Sequence, residues 1–294
     1  MLIHTQQLNN DTLNALKRLL HTCKQTDGHA ISFYRDLLSQ PRPKPQTLLS
    51  FKNEQLIGFA AVFFFEHNIG EISLFVDPKH RKQGIGRELL NTLLPLIQQD
   101  RPVETLLFST PHSLHEATLI QRGFQYQGSE YEMQREIHQT ITQTSNQLTI
   151  RQATAADVKT LCYIDSQCFP TSPSFSEARF QTILSHPDHT LFIAIYGDTI
   201  IGKAHITWHE KTAYLSDLAT LPTMQRRGFG RALITHCMNH VLTHAQTSIT
   251  LSVETHNKNA LHLYQDLDFC VSNAIDYWSC PFSHLYPTDA PSVS

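Results

Sequence analysis

Two segments of this sequence place glycines beside basic side chains, a combination that suits phosphate binding. The two segments are, in full, Arg81, Lys82, Gln83, Gly84, Ile85, Gly86, Arg87 and Gln225, Arg226, Arg227, Gly228, Phe229, Gly230, Arg231. Glycine lets the backbone approach an anion closely, and N–H groups at a helix start favour negative charge. Arginine and lysine would neutralise the phosphate. The spacing fits neither GxGxxG nor GxxxxGK(S/T), so neither a dinucleotide fold nor an NTPase phosphate loop is expected.

The two segments belong to a longer internal repeat. Between Leu56 and Leu90 the matching residues of the two halves keep one constant offset. The matches are Gly58 with Gly202, Pro78 with Pro222, Gly84 with Gly228, Gly86 with Gly230, Arg87 with Arg231 and Leu89 with Leu233. Later the offset grows by one residue, which pairs Phe124 with Phe269. A register kept over this distance indicates a duplicated domain.

Each half has the same order of predicted elements. A helix is followed by three strands, the glycine turn, a long helix, a strand, a short helix and a final strand. This order predicts an α/β fold with a mixed sheet in each of two tandem domains. The polar segment 138–147 reads as a linker. The predicted domains are therefore 1–137 and 148–280, followed by a tail at 281–294.

A third motif runs from Asn257 through Ala260, Leu263 and Tyr264 to Phe269. It resembles the N-x-x-A-x-x-L-Y-x-x-x-G-F signature of the GNAT superfamily of N-acetyltransferases, with Asp268 in place of glycine. The glycine segments resemble the loop that holds the pyrophosphate of acetyl-CoA in that family. The resemblance implies acetyl-CoA as the cofactor and two strands that splay apart around its pantetheine arm. The residues that it places beside this arm are Leu218, Ala219, Thr220 and Asn257, and in the first half Leu74, Phe75 and Val76.

The resemblance also places the chemistry mainly in the second half. Tyr264 stands where the family has a general acid near the CoA sulfur. Asp217 and Glu254 are candidate bases that would take a proton from the amine, and ordered water is the alternative. In the first half, Leu119 replaces the tyrosine, His112 replaces the asparagine, and Ser73 aligns with Asp217. Because leucine cannot donate a proton, we expect the first domain to be CoA-binding or structural.

Composition limits the partners. The formal net charge of −3 argues against nucleic acid, and no apolar run is long enough to cross a membrane. The six cysteines form no CxxC pair and are expected to be thiols in a reducing compartment. His236, His240 and His244 form a helical stripe that could bind a metal, but we favour a solvated face and expect no metal site.

The leading hypothesis is an acetyltransferase acting on a primary amine of a small molecule or a protein. The layout resembles mycothiol synthase-like enzymes and VipF-type effectors that bacteria deliver into host cells. A cytoplasmic protein is expected, with secretion into a host cell without a signal peptide as the alternative. A non-catalytic CoA-binding or protein-binding module, for example one acting on a host protein, stays open. Cys168–Arg179 and Asp276–Tyr286 are the segments expected to shape the acceptor site.

Both glycine segments are intact, so we expect each domain to bind CoA, with the second binding more tightly. Gly228→Glu should abolish binding in the second domain, because it adds bulk and negative charge where phosphate must lie. Calorimetric titration with CoA measures this directly. A single site in the wild-type chain would contradict binding by the first domain.

Overall fold

The computed structural model describes residues 1–31, 33–65, 67–114, 116–142, 148–169, 176–210 and 212–286. The first half contains β1 (Leu2–Thr5), α1 (Asn10–Asp27), α2 (Arg35–Ser39), β2 (Thr47–Lys52), β3 (Gln55–Phe63), β4 (Ile69–Val76), α3 (Ile85–Asp100), β5 (Thr105–Pro111), α4 (Glu116–Gln121) and β6 (Gln125–Glu136). The second half contains β7 (Leu148–Gln152), α5 (Val158–Cys168), α6 (Glu177–Ser185), β8 (His189–Tyr196), β9 (Thr199–Trp208), β10 (Ala213–Thr220), α7 (Phe229–Thr243), β11 (Ser248–Glu254), α8 (Lys258–Gln265), β12 (Cys270–Pro281) and α9 (Phe282–Leu285).

The chain forms two compact units that are not the two contiguous halves of the sequence. Unit 1 comprises residues 1–130 and 273–294, and unit 2 comprises residues 131–272. The chain therefore leaves unit 1 within β6 and returns to it within β12. In unit 1, β12 pairs antiparallel with β5, from Ile275 opposite Pro111 to Pro281 opposite Thr105. The end of the predicted second domain, 273–280, thus lies in unit 1. The sequence did not indicate this, because strand pairing between segments far apart in sequence leaves no local signal.

Each unit is an α/β domain built on a mixed sheet, as the sequence predicts. In unit 1, β1 to β4 pair antiparallel in order and β4 pairs parallel with β5. In unit 2, β7 to β10 pair antiparallel in order, β10 pairs parallel with β11, and β6 lies beside β11. Helices α3 and α7 each bury an apolar face against one side of their own sheet. The other side is covered by α1 in unit 1 and by α5 and α6 in unit 2. Within the described residues, no helix is long and apolar enough to span a membrane.

The parallel strands of each unit separate part-way along their length. In unit 2, β10 and β11 pair only from Ala213 opposite Ile249 to Leu215 opposite Leu251. In unit 1, the pairing of β4 with β5 stops at Ile72 opposite Phe108. The last residues of β4 and β10 are therefore open on the side that faces β5 and β11. These are the splayed strands that the resemblance implies.

A bulge distinguishes β10 from β4. Ser216 lies opposite His205 and Ala219 opposite Lys203, so β10 has one residue more than β9 over this stretch. The backbone of Asp217 takes a left-handed conformation, with φ of 49°. In unit 1, Ser73 lies opposite Ala61 without a shift. Ser73 is therefore the counterpart of Ser216, and the predicted equivalence of Ser73 with Asp217 is wrong, because the gapless alignment conceals the bulge.

Several local features have clear causes in the sequence. Thr154 and Asp157 form a capping box, in which each side chain binds the backbone of the other. The turn at Asn53 and Glu54 has positive φ at both residues. Asp268, which stands where the family signature has glycine, takes φ of 57°, a left-handed geometry that aspartate tolerates.

Two predicted features of the C-terminal region differ from the structure. Asp276–Tyr286, expected to be an acceptor loop, instead forms the end of β12 and α9. The predicted tail at 281–294 therefore begins with ordered structure, and residues 287–294 lie outside the described part of the chain. Residues 170–175 of the other expected acceptor loop, and 143–147 of the linker, lie outside it as well.

The pairing of β12 with β5 can be tested through a buried tryptophan. Trp278 of β12 is 1% exposed and its indole donates to the hydroxyl of Thr110, 3.1 Å away. Trp278→Ala should destabilise unit 1 by about 3–5 kcal/mol, because it removes a large buried side chain. Hydrogen exchange should show protection lost in β5 while β10 and β11 keep theirs. The matched control is Trp208→Ala in unit 2, which should reverse the pattern. Loss of hydrogen-exchange protection in unit 2 on Trp278→Ala would contradict the assignment of the end of β12 to unit 1.

Candidate active site

The two glycine segments adopt the same backbone conformation. In each loop a basic residue and a glycine have positive φ: Lys82 and Gly84 at 61° and 89°, Arg226 and Gly228 at 63° and 81°. Helices α3 and α7 begin directly after these glycines, and no side chain in the described part of the chain caps either N-terminus. The N–H groups of the first helical turn are thus left to face a ligand. This geometry is suited to binding an anion such as a pyrophosphate.

The side chain that precedes the positive-φ residue holds each loop to its strand. Arg81 pairs with Asp27 at 2.6 and 2.7 Å and donates from Nε to the carbonyl oxygen of Val76, 3.1 Å away. Gln225 donates to the equivalent carbonyl of Thr220, 3.0 Å away. Arg81 and Gln225, both predicted to bind cofactor, are therefore tied to protein groups.

The other basic side chains of the loops lie at the surface. Arg226 donates to Asn259 at 2.9 Å, and Arg231 pairs with Asp266 at 3.0 Å. Lys82, Arg87 and Arg227 are exposed. These exposed groups are the side chains best placed to meet a phosphate.

Tyr264 is buried on α8, with its ring 5.8 Å from that of Phe269. Burial, with a further contribution from the charge of Tyr214, raises the pKa of Tyr264 to about 12. The phenol is therefore protonated at neutral pH and can act as a proton donor. Leu119 occupies the corresponding position in unit 1, on α4.

The position of Asn257 has diverged between the units. The side chain of Asn257 caps α8 by accepting from the backbone N–H of Ala260 at 3.2 Å. Its counterpart His112 in unit 1 instead lies 2.7 Å from the carboxylate of buried Asp276. Asn257 therefore already caps a helix, and its contact with the pantetheine arm stays a prediction.

A network of charged side chains lies on the α5 and α6 face of unit 2. Lys203 and Asp165 are 0% and 1% exposed, and their charged atoms are 2.6 Å apart. Neither atom makes a well-directed hydrogen bond, so this contact is an ion pair that only partly repays the cost of desolvation. Arg179 on α6 bridges to Asp165 at 3.4 Å and to Asp217 at 2.5 Å. The bulge thus directs Asp217 into a buried ionic network.

The two predicted bases are in different environments. Burial would raise the pKa of Asp217, but contact with His205 and the charges of Lys203 and Arg179 outweigh burial and hold the pKa far below its usual range. Asp217 is therefore ionised at neutral pH. Glu254, at the end of β11, has a side chain that is 65% exposed and lies 3.1 Å from His256.

Comparisons with known proteins identify the family. The profile of the acetyltransferase (GNAT) family matches residues 13–117 and 158–269, which is most of the chain. The chain belongs to the GNAT family. Among curated proteins, none matches its sequence.

Solved structures share the fold of this GNAT chain over nearly its whole length. A GCN5-related N-acetyltransferase from Sphaerobacter thermophilus has a TM-score of 0.79 at 17% identity and covers 96% of each chain. A tandem GNAT protein from the clavulanic acid biosynthesis pathway has a TM-score of 0.69 at 14% identity, covering 96% of this chain and 98% of the other. A glucosamine N-acetyltransferase region of a fungal multi-domain β-N-acetylglucosaminidase has a TM-score of 0.67 at 12% identity, covering 95% of this chain and 38% of that one.

The ionic network is present in one GNAT unit and absent from the corresponding strands of the other. In unit 1, the counterparts of Lys203 and His205 are Phe59 and Ala61, both fully buried. The same fold is therefore built with apolar side chains at these positions. Since burying charges is costly, their retention in unit 2 points to function rather than to folding.

The network residues were not predicted from the sequence; they are Lys203, Asp165, Arg179 and His205. A signal was present, because a lysine and a histidine stand in β9 where the repeated strand has Phe59 and Ala61. Asp165 and Arg179 offered no such signal, since they lie on helices brought together only by packing. The face formed by His236, His240 and His244 is less solvated than expected: the rings of His240 and His244 pack on Trp208, and burial lowers the pKa of His240 to about 4.

Replacement of the buried pair tests whether the network is required for folding. Lys203→Met alone should destabilise the protein by about 3–5 kcal/mol, because Asp165 is left as a poorly compensated buried charge. The double variant Lys203→Met with Asp165→Leu should recover most of that loss, since it leaves no unpaired buried charge and puts apolar side chains in the core, as unit 1 has around Phe59. Urea unfolding gives both free energies. A double variant as unstable as the single one would show that the network is required for folding.

Proposed function

We propose that this GNAT protein transfers an acetyl group from acetyl-CoA to a primary amine, and that the chemistry takes place in unit 2. The buried charges beside the open end of β10 are the main support, because unit 1 has apolar residues at the corresponding positions of its strands. A glycine loop suited to pyrophosphate, two separated strands and a buried tyrosine lie in the same unit.

Binding of acetyl-CoA is assigned to the loop and the open strand. The N–H groups at the start of α7 would meet the pyrophosphate, with Arg227 at the surface beside it. The backbone of Leu218, Ala219 and Thr220 is open towards β11, because pairing of the two strands has ended at Leu215. The pantetheine arm would occupy this gap and bring the thioester towards Tyr264.

Protonation of the departing CoA thiolate is assigned to Tyr264. A phenol with a raised pKa holds its proton until a strongly basic group develops beside it. Burial among apolar side chains also keeps water from competing for that proton.

Deprotonation of the amine is assigned to Asp217 and His205, which lie beside the gap between β10 and β11. An alkyl ammonium has a pKa of about 10.4, so it must lose a proton before it can attack. Asp217 carries a negative charge that attracts the ammonium, but its low pKa makes it a weak base when acting alone. The imidazole of His205 lies beside it, with its Nδ1 3.7 Å from the carboxylate, and is another group that can take the proton. Glu254 is the second candidate, acting from the solvent side.

Unit 1 is proposed to bind CoA without turning it over. Its loop has the backbone of the active loop, but Leu119 replaces the acid and an apolar core replaces the ionic network. The acceptor is a small molecule or a protein, and the glucosamine acetyltransferase region among the structural relatives makes an amino sugar a natural first probe. The free thiols suit a reducing compartment, either the cytoplasm or the cytosol of a host cell.

Tyr264→Phe should lower kcat by about 10²–10⁴-fold while acetyl-CoA binding stays nearly constant, because only the proton donor is lost. CoA thiol release can be followed with glucosamine, spermidine, lysine amide and a lysine-containing peptide as acceptors. Leu119→Ala in unit 1 is the matched control and should leave the rate almost unchanged. If the wild-type chain binds CoA but acetylates none of these amines, a non-catalytic binding module becomes the better account.

A further inference from the structure

Three neighbouring strands of unit 2 place polar side chains in a line on the α5 and α6 face. His205 on β9 lies directly opposite Ser216 on β10, and its Nδ1 is 3.3 Å from the Ser216 hydroxyl. On the other side, Nε2 of His205 is 3.0 Å from Nδ1 of His189 on β8. His189 is paired with Thr207, two residues along β9 from His205, so the two imidazoles are diagonal neighbours on one face.

The line runs from the open strand to the surface. Ser216 is the first residue of β10 beyond the last pair with β11. The side chain of His205 is 7% exposed, whereas His189 is half-buried and its ring lies 4.9 Å from that of the exposed His186. Within the described residues, the polar neighbours of His205 include the Ser216 hydroxyl and Asp217 on the Nδ1 side and His189 on the Nε2 side. A proton on Nε2 of His205 can therefore pass outward to His189.

The geometry points to a proton relay, in which Ser216, His205 and His189 carry the proton lost by the amine from the gap between β10 and β11 to solvent. This inference rests on the proposed acetyl transfer and adds to it the route by which the proton leaves. Asp217 and Ser216 face the amine side, and His186 lies at the exit.

Each step moves one proton and breaks no bond between heavy atoms. The ammonium gives a proton to the Ser216 oxygen as the Ser216 hydroxyl proton passes to Nδ1 of His205. The proton on Nε2 of His205 passes to Nδ1 of His189, and His189 releases its Nε2 proton to water. One proton enters and one leaves, and tautomer exchange between turnovers restores both rings.

The charges around the two rings suit a transient proton on each. Asp217 faces His205 and stabilises its transient imidazolium, with Lys203 and Arg179 balancing the carboxylate. Burial, followed by the charges of His205 and His186, lowers the pKa of His189, so this ring readily gives up to water a proton that it has received. Asp188 and His209 also act on His189.

A set of matched His→Gln variants tests the relay. His189→Gln and His205→Gln should each lower kcat about 10²-fold at pH 7, with KM nearly unchanged, because glutamine can hydrogen-bond but cannot pass a proton. Much of the loss should be recovered near pH 10, where a larger share of the amine is already neutral. Added imidazole should rescue His189→Gln more than His205→Gln, since His189 is reachable from solvent. His209→Gln, which removes a nearby imidazole off the line, is the control and should keep the wild-type rate.

Nitrogen-15 NMR of histidine-labelled protein tests the relay without an acceptor. A scalar coupling between Nε2 of His205 and Nδ1 of His189 should be visible, and His205→Gln should raise the pKa of His189 by removing a neighbouring positive charge. If His189→Gln acetylates amines with the wild-type pH profile, or if the coupling is absent and the titration of His189 does not move, the relay is wrong. A wild-type chain that acetylates no amine would instead contradict the proposed function.

Discussion

The separation of β10 from β11 is the constraint on which the site in unit 2 depends. Parallel strands that paired along their full length would have their backbone groups consumed by the sheet, and no ligand could enter between them. Here pairing ends at Leu215, so the next residues present free edges to the gap. The glycine loop follows at the end of the same strand and starts α7 with its N–H groups unpaired by any cap. Loop, open strand and helix start are thus set by one feature of the sheet.

Both units have this separation, so it does not by itself explain where chemistry occurs. Besides the replacement of Tyr264 by Leu119, the units differ by one extra residue in β10. The bulge places Asp217 in a left-handed conformation and directs its carboxylate towards Arg179, while Lys203 and Asp165 are buried beneath. Unit 1 keeps a regular β4 and fills the same space with Phe59 and its apolar neighbours. A duplicated domain has therefore kept its ligand-binding backbone in both copies and its charged interior in one.

Much of the fold could be predicted from the sequence, because it depends on local patterns. The bounds of β2, β9, β10 and β11 follow from apolar runs ended by turns, and the capping box at Thr154 follows from two residue types at a fixed spacing. The exchange of β12 could not be predicted, because pairing with β5 joins segments far apart in the chain. The bulge was hidden for a different reason: the hairpin before β10 is one residue shorter than its counterpart, and the two differences cancel in the alignment.

The candidate site was predictable only in part. The glycine loops and Tyr264 belong to continuous motifs, so sequence alone located them. The ionic network joins a strand, a bulge and two helices, and its members acquire their properties from burial rather than from sequence context. The same holds for His205 and His189, which are neighbours only through strand register. Residues in continuous motifs were therefore predictable, whereas residues joined only by packing were not.

We propose that unit 2 holds the reacting centre between β10, β11 and Tyr264. A crystal structure with bound acetyl-CoA would show whether it does. We expect the thioester in the gap beside Ser216, with its sulfur within hydrogen-bond distance of the Tyr264 hydroxyl. An acetyl group bound only between β4 and β5 of unit 1, or a Tyr264 hydroxyl directed away from the sulfur, would exclude this placement.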